Sequence, residues 1–214
     1  MTVHLKIDPR KPDEEALSEA VRIIREGGIV AFPTETFYGL GVDARQEAGV
    51  EKIFGIKGRN IRNPVSVIVD SEREVIPLVA TIPETARLLM QKFWPGPLTL
   101  VFSAASSVSP HLTGGSGKIG IRVSSHTVAR LLAKRIAGPL TATSANLSGG
   151  QECTTAAEVI HLFGDRLDAI IDGGPTPGGI GSTILDITVH PPLVLRAGVV
   201  SLTEILDSLG ILAR

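Results

Sequence analysis

The sequence predicts an α/β fold, in which a twisted mixed sheet of parallel and antiparallel strands carries flanking helices. Short apolar runs typical of strands alternate with amphipathic helical patterns along nearly all 214 residues. Several connections are too short to hold a crossover helix, so a mixed sheet is favoured over a purely parallel one. The 23 glycines and 14 prolines agree with the many tight turns that such a fold requires.

The helices are predicted from an apolar stripe and from the residues that begin or end it. In the first helix Leu17 and Ile24 share the apolar face, and two glycines end it. Proline begins the third helix, Thr154 or Thr155 caps the fifth, and Ser201 caps the last. The predicted helices are Asp13–Glu26, Ala48–Ile56, Pro83–Phe93, His126–Ile136, Thr154–Phe163 and Leu202–Leu212.

Eight short runs are predicted to be strands because they are apolar, rich in Val, Ile and Leu, and bounded by turn residues. They are Ile29–Phe32, Val65–Val69, Leu98–Phe102, Ile119–Val123, Leu140–Thr143, Ala169–Ile171, Thr183–Ile187 and Leu193–Leu195. No repeat or linker interrupts the series. We therefore expect a single domain over residues 1–214, with a motif-bearing core at about 16–200 and a C-terminal helix at 202–212.

Composition argues against several classes of protein. The net charge of −1 does not suit a protein that coats nucleic acid non-specifically. A single cysteine, Cys153, rules out an internal disulfide, and five scattered histidines form no H-x-x-x-H pair, so no protein-ligated metal is expected. The charged N-terminus does not resemble a signal peptide, and no apolar run reaches the about 18 residues that span a membrane. We expect a cytoplasmic protein without membrane association.

The first candidate functional segment follows the strand that ends near Pro33. Thr34, Glu35 and Thr36 place two hydroxyls and a carboxylate at a strand end, where ligands gather in open α/β sheets. Gly39 and Gly41 are expected to let the backbone approach a ligand closely. A capped turn is the simpler interpretation of any one of these threonines, but the whole segment is more specific than its parts.

Two further segments carry cations. Lys57 and Arg59 follow a predicted helix, where a positive charge is favoured by the helix dipole by about 0.3–1 kcal/mol. The same pair suits a phosphate group, with lysine as a point charge and arginine as a bidentate donor. Arg122 alternates with apolar residues in a predicted strand, so it either faces solvent or holds a carboxylate in a pocket.

The fourth segment ends the strand that begins at Leu140. Ser144 and Asn146 flank Ala145 there and are followed by Ser148 and two glycines. Serine and asparagine at such positions cap turns locally, and they equally suit hydrogen bonds to a nucleotide phosphate.

Together these segments resemble the YrdC-type threonylcarbamoyl-AMP synthase family. The resemblance is carried by P-T-E-T-F-Y-G-L-G at 33–41, K-x-R at 57–59 and S-A-N-L-S-G at 144–149. It continues through G-P-L-T-L-V-F at 96–102, I-G-I-R-V at 119–123, G-S-T-I-L-D at 181–186 and L-R-A-G at 195–198. The motifs cover residues 16–200 approximately, and no single one would justify the comparison.

The resemblance implies a YrdC-like fold around a concave basic cavity, and a role for each matching residue. The residues that would contact ATP or the adenylate phosphate are Lys57, Arg59, Lys118, Ser144, Asn146 and Arg196, of which Lys57, Arg59, Ser144 and Asn146 would be catalytic. The residues that would hold L-threonine are Thr34, Arg122 and Ser182, with Arg122 on the carboxylate.

The activity implied by the resemblance is a nucleotidyltransferase reaction, in which L-threonine, bicarbonate and ATP give L-threonylcarbamoyladenylate and pyrophosphate. Magnesium would arrive with ATP rather than bind to the protein. The product would pass to the tRNA threonylcarbamoyl transferase complex, as the first step of threonylcarbamoyladenosine modification of tRNA. Displacement at phosphorus needs positioning and charge neutralisation more than a protein nucleophile, which agrees with the hydroxyls, amides and cations of the motifs.

Two alternatives remain on the sequence alone. One is a non-catalytic module that binds double-stranded RNA or tRNA, and the other is a YrdC-like paralogue of different carbamoyl-adenylate chemistry or without synthase activity. The near-neutral charge and the aromatic content of 4% weaken the first, and the intact S-A-N segment weakens the second. The chain departs from the family pattern at Asn60, Ile68, Lys118, Gly181 and Ala197.

Overall fold

The computed structural model describes residues 1–210 of the chain. Within this range the helices are α1 Glu14–Arg25, α2 Glu47–Lys57, α3 Glu84–Phe93, α4 Pro110–Thr113, α5 Thr127–Ile136, α6 Ala156–Phe163 and α7 Leu202–Ser208. The strands are β1 Val3–Lys6, β2 Val30–Pro33, β3 Tyr38–Gly41, β4 Val67–Ile68, β5 Leu98–Ser103, β6 Lys118–Arg122, β7 Leu140–Thr141, β8 Thr143–Ser144, β9 Ala169–Asp172, β10 Thr183–Asp186 and β11 Leu193–Arg196. Short 3₁₀ helices lie at Glu72–Leu78 and Gly164–Arg166.

The predicted α/β class with mixed strand pairing is confirmed, but the strands form two sheets and not one. The first sheet has the order β1-β9-β2-β3-β8, and the second has the order β11-β10-β5-β6-β4-β7. Each sheet contains parallel and antiparallel pairs. The sequence could not show the division, because the run Leu140–Thr143 was predicted as one strand and its two halves pair with different sheets.

This run is the place where the chain crosses from one sheet to the other. Leu140 pairs with Ile68 of β4 in the second sheet, and Thr143 pairs with Leu40 of β3 in the first. The fully buried Thr141 side chain accepts a hydrogen bond from the Val42 amide at 3.0 Å, which joins the crossing strand to the chain that leaves β3. The two sheets are therefore held close together near Ser144.

Two apolar clusters enclose the sheets. The helices α1 and α5 pack beside each other over β2, β9, β4 and β7, with Leu17, Ile24 and Leu132 fully buried. The other cluster fills the opposite side with residues of α2, α3, α6 and the inner strands. Asp13 caps α1, and Thr155 and Ser201 form capping boxes with Glu158 and Glu204, which confirms the predicted starts of α6 and α7.

Several boundaries differ from the sequence predictions. Strands β1 and β3 and the short helix α4 were not predicted, since charged, glycine-rich or proline-containing sequence hides their pattern. Helix α7 ends at Ser208, and the last two residues of the predicted helix Leu202–Leu212 lie outside the described range. Pro83 is the N-cap of α3 and not its first helical residue. None of the helices within residues 1–210 is long and apolar enough to cross a membrane.

Candidate active site

A cavity of about 150 Å³ lies between the two sheets, at the ends of several strands. Its wall combines residues of the first sheet, such as Gly39 and Ser144, with residues of the second, such as Thr99 and Arg122. Three arginines, one glutamate and several hydroxyl side chains line it: Arg59, Arg122, Arg196, Glu152, Thr34, Thr36, Ser66, Thr99, Thr143, Ser144 and Ser182. The lining therefore favours an anionic ligand with several oxygen atoms.

The tip of a β-hairpin supplies one edge of the cavity. Strands β2 and β3 pair antiparallel, and Thr34 to Phe37 connect them. The Thr34 hydroxyl donates to the Phe37 carbonyl at 2.7 Å and accepts from the Thr36 amide at 3.2 Å, so it closes the turn. Thr34 is thus a turn-capping residue that also lines the cavity.

The two glycines of this hairpin have different roles. Gly39 lines the cavity, as expected. A Cβ atom on Gly41 would lie 2.6 Å from the Phe32 ring and 2.9 Å from the Leu140 side chain. The expectation that Gly41 gives a ligand access to the backbone is wrong, because its missing side chain serves core packing.

Arg59 reaches the cavity because helix α2 ends on a glycine. Gly58 adopts a left-handed conformation with φ +59°, which reverses the chain and places Arg59 beyond the helix. Its Nη2 donates to the Pro64 carbonyl at 2.8 Å, whereas its buried Nε has no hydrogen-bond partner among the described residues. Burial lowers the pKa of the Arg59 guanidinium, which agrees with a desolvated cation waiting for an acceptor.

Arg122 enters the cavity from the end of β6 and is balanced by a carboxylate on its other side. Its Nη1 lies 3.2 Å from Glu35 Oε1, and the two side chains are 8% and 12% exposed. The second oxygen of Glu35 accepts from the buried Ser124 hydroxyl. Neither Arg122 Nη1 nor Glu35 Oε1 makes an aligned hydrogen bond within residues 1–210. The charge is therefore compensated while part of the donor capacity of Arg122 stays unused.

Arg196 and Ser182 form the side of the cavity built by the antiparallel pair β10 and β11. Arg196 donates from Nη2 to the Ser182 hydroxyl at 2.9 Å and to the Ser182 carbonyl at 2.8 Å. A further contact joins Ser182 Oγ to the Thr99 hydroxyl at 3.2 Å. Ser182 is buried, so these contacts fix the arginine at the cavity wall.

The turn that follows β8 is held from behind by Lys57. The ammonium group donates to the carbonyls of Ser144 and Asn146 and to Asn146 Oδ1, the last two at 2.7 and 2.9 Å. The Ser144 hydroxyl donates to the same Oδ1 at 2.8 Å, and Asn146 Nδ2 donates to the Gly150 carbonyl at 2.6 Å. Only Ser144 of these three side chains lines the cavity.

The structure brings together six of the nine residues proposed from the sequence, namely Thr34, Arg59, Arg122, Ser144, Ser182 and Arg196. Lys57 and Asn146 lie directly behind Ser144. Lys118 is separate from this group, since it does not line the cavity and its Nζ lies 2.8 Å from Asp186.

Two acidic residues near the cavity were not among the residues proposed from the sequence. Glu35 lies within the P-T-E-T segment, so its position between two proposed residues was a usable signal. Glu152 lies in a polar segment without a motif, and only the fold brings it into the cavity wall.

The donor set of the cavity does not form a metal cage. Among residues 1–210 there is no group of three or more His, Cys, Asp or Glu side chains arranged to hold a metal ion. Cys153 is buried, and burial raises the pKa of its thiol to about 11, so it is not an activated nucleophile.

The fold and site together define an α/β ligand-binding protein whose cavity, lined by arginines and hydroxyls, lies between two mixed sheets. The family model Sua5_yciO_yrdC, described as telomere recombination, matches residues 22–198. The chain belongs to this Sua5/YciO/YrdC family.

Individual relatives agree. A threonylcarbamoyl-AMP synthase of Pyrococcus abyssi is 40% identical over 210 residues, which is 98% of this chain and 62% of the relative. The threonylcarbamoyl-AMP synthase of Bacillus subtilis is 37% identical over 95% of this chain and 59% of the relative. The chain thus spans about three fifths of the length of these relatives.

A solved structure gives the same result for the fold. The crystal structure of Pyrococcus abyssi Sua5 complexed with L-threonine superposes with a TM-score of 0.92 at 39% identity. The match covers 98% of this chain and 61% of that protein.

Proposed function

We propose that this chain carries an enzymatic site for synthesis of L-threonylcarbamoyladenylate from L-threonine, bicarbonate and ATP, with release of pyrophosphate. The observation that carries the proposal is the cavity between the sheets, where Arg122 keeps unused donor capacity next to Thr34 and Ser182. Support comes from the likeness to a protein whose crystal structure contains L-threonine. The reaction would make the chain a nucleotidyltransferase.

The chemistry divides into two steps that balance. The amine of L-threonine attacks the carbon of bicarbonate, and the carbamate forms with loss of water. A carbamate oxygen then attacks the α-phosphorus of ATP, the bond to the β-phosphate oxygen breaks, and pyrophosphate leaves. Both steps need aligned reactants and neutralised charge, and neither needs a covalent bond to the protein.

The threonine end of the cavity lies at Arg122. A carboxylate placed there meets a guanidinium that is buried and held by Glu35, and bidentate pairing with arginine suits this geometry. Thr34 and Ser182 lie along the same cavity, where they would contact the rest of the amino acid.

The nucleotide end lies at Arg59 and Arg196, which would neutralise the phosphates. The turn of Ser144 and Asn146, with Lys57 behind it, lies between the two ends. Lys118 would reach a phosphate only after leaving Asp186.

Magnesium would enter as a complex with ATP. This fits the lining, in which Glu152 supplies a carboxylate while most polar groups are arginines and hydroxyls. Mg²⁺ usually keeps several waters and binds through one or two carboxylates plus substrate phosphates. In that role it would neutralise the charge that develops on the leaving pyrophosphate.

Two broader statements belong to the same proposal. Residues 1–214 would act as one domain with its core at about 16–200, supported by the strand run that crosses between the sheets. The product would pass to a tRNA threonylcarbamoyl transferase complex, and any binding of tRNA or double-stranded RNA would serve this transfer.

The test is a pyrophosphate-release assay with single omissions. Release is expected with ATP, L-threonine and bicarbonate together, and it should fall to background when any one is left out. An undiminished rate without L-threonine would contradict the proposal. Binding of tRNA without ATP-dependent product formation would instead favour a binding module.

A further inference from the structure

The Lys57 ammonium group is fully committed to the turn behind the cavity. The residue is 2% exposed, and it lies at the end of helix α2. Its Nζ meets the Ser144 carbonyl, the Asn146 carbonyl and Asn146 Oδ1. An ammonium group has three N–H donors, so these acceptors leave none for a phosphate oxygen. The backbone returns the contact, since the Ser148 amide donates to the Lys57 carbonyl at 2.9 Å.

This contact decides which way the Asn146 amide faces. Lysine only donates, so the atom of Asn146 that faces Nζ must be the carbonyl oxygen. The opposite orientation would place an NH₂ group against the ammonium. The other end then donates from Nδ2 to the Gly150 carbonyl at 2.6 Å, which agrees with the same orientation.

The orientation of Asn146 in turn decides the direction of the Ser144 hydroxyl. Ser144 Oγ lies 2.8 Å from Asn146 Oδ1, and a carbonyl oxygen only accepts, so the hydroxyl proton points at Asn146. The lone pairs of Oγ are left for the cavity, which Ser144 lines. A phosphate oxygen is also an acceptor, so it would find no proton here unless the Ser144–Asn146 bond broke.

We infer that Lys57 and Asn146 are positioning residues that turn the Ser144 hydroxyl into a hydrogen-bond acceptor for the amine of L-threonine, and not for a phosphate. The inference rests on the proposed function for the identity of the ligand. An N–H donor of the substrate satisfies the free lone pairs of Ser144 Oγ. The amine is then held with its own lone pair free to attack the carbon of bicarbonate. Lys57 acts through Ser144 and touches neither ATP nor threonine.

The first test uses Ser144→Ala, which removes the hydroxyl and leaves all three acceptors of Lys57 in place. We expect the Kd for L-threonine, measured by calorimetry, to rise about tenfold, the loss of one good hydrogen bond. The Kd for ATP should be unchanged. The Kd for 3-hydroxybutanoate, which lacks the amine, should be the same for the variant and the wild type.

The second test uses Lys57→Met, with Lys52→Met as the matched control. Lys52 lies on the same helix, is exposed, and donates to the Gly27 carbonyl at 2.8 Å, so its substitution makes the same change of charge outside the cavity. Lys57→Met should weaken threonine as much as Ser144→Ala does and should leave the Kd for ATP unchanged. The double variant Lys57→Met with Ser144→Ala should lose no more than either single variant, since both act through one hydroxyl.

Each outcome separates the two hypotheses. A loss of ATP or pyrophosphate affinity with threonine affinity intact, in either variant, overturns the inference and makes these residues phosphate ligands. Equal effects of Ser144→Ala on threonine and on 3-hydroxybutanoate also overturn it. A wild-type protein that binds no L-threonine contradicts the proposed function instead. If Lys57→Met does not fold, Ser144→Ala decides alone.

Discussion

On one side of the cavity, Lys57 and Asn146 use their hydrogen-bonding groups inside the protein. On the other side, Arg59 and Arg122 each leave a buried nitrogen without an aligned partner within residues 1–210. Both sides are polar and buried, so burial alone does not separate a ligand-binding group from a group that supports the fold. Unused donor capacity does, because a buried polar group without a partner costs free energy until a ligand supplies one.

The comparison is broken most directly at Arg59. Arg59→Ala removes a guanidinium whose Nε has no partner among the described residues, and turnover should fall by about 100-fold or more if this donor meets charge in the transition state. Steady-state kinetics with saturating L-threonine measures the change. Arg62→Ala is the control, since Arg62 is an exposed arginine that does not line the cavity. A similar loss in both variants would contradict a specific role.

Arg122 is next in expected effect. Arg122→Lys keeps the positive charge beside Glu35 but loses the planar fork, so the KM for L-threonine should rise about tenfold while the KM for ATP stays the same. An equal rise in both KM values would place the arginine on the nucleotide and not on the amino acid.

Glu35→Gln sharpens the comparison because Glu35 balances Arg122 without lining the cavity. The variant leaves a buried guanidinium without its counter-charge, so the free energy of unfolding should fall by about 3 kcal/mol. Threonine should bind at least as tightly as before, because a negative charge behind Arg122 is removed. Urea titration and calorimetry measure the two quantities.

The matched control for this variant is Asp43→Asn. It breaks the pair between Asp43 and Arg45 at 2.7 Å, away from the cavity, and should lower stability without any effect on threonine. Weaker threonine binding in Glu35→Gln would show that Glu35 contacts the ligand.

The smallest effect concerns the proton of Lys57. Burial, followed by the nearby Arg59 charge, lowers the pKa of Lys57 from 10.5 to about 8. Between these values the unfolded chain holds a proton that the folded chain has lost, so stability should rise with pH in this window relative to Lys57→Met. Below pH 8 the difference should be constant. Urea titrations of both proteins across pH 7 to 10.5 measure it, and a falling difference would contradict the sign.

Much of the fold and of the site was open to prediction from the sequence, and the reasons for the failures are physical. Helices with a clear apolar stripe, such as α1 and α5, were placed within one residue at each end. The division into two sheets was not predictable, because one apolar run gives no sign that Leu140 and Thr143 pair with different partners.

The site followed the same rule. Residues in dense motifs, such as Thr34 and Ser144, were found because the motif is specific. Glu152 was missed because a lone acid in a loop gains meaning only from its neighbours in space. The difference between Lys57 and Arg59 was also out of reach, since K-x-R does not say which cation has spent its donors.

The central claim is that this cavity joins threonine, bicarbonate and an adenylyl group, and a single measurement tests it most directly. The chain is incubated with ATP, L-threonine and ¹³C-labelled bicarbonate, and the products are analysed by mass spectrometry. We predict an adenylate that contains threonine and carries the label, and which is missing when L-threonine is omitted. Labelled bicarbonate that appears in no adenylate, under conditions where the protein binds ATP and L-threonine, would contradict the claim.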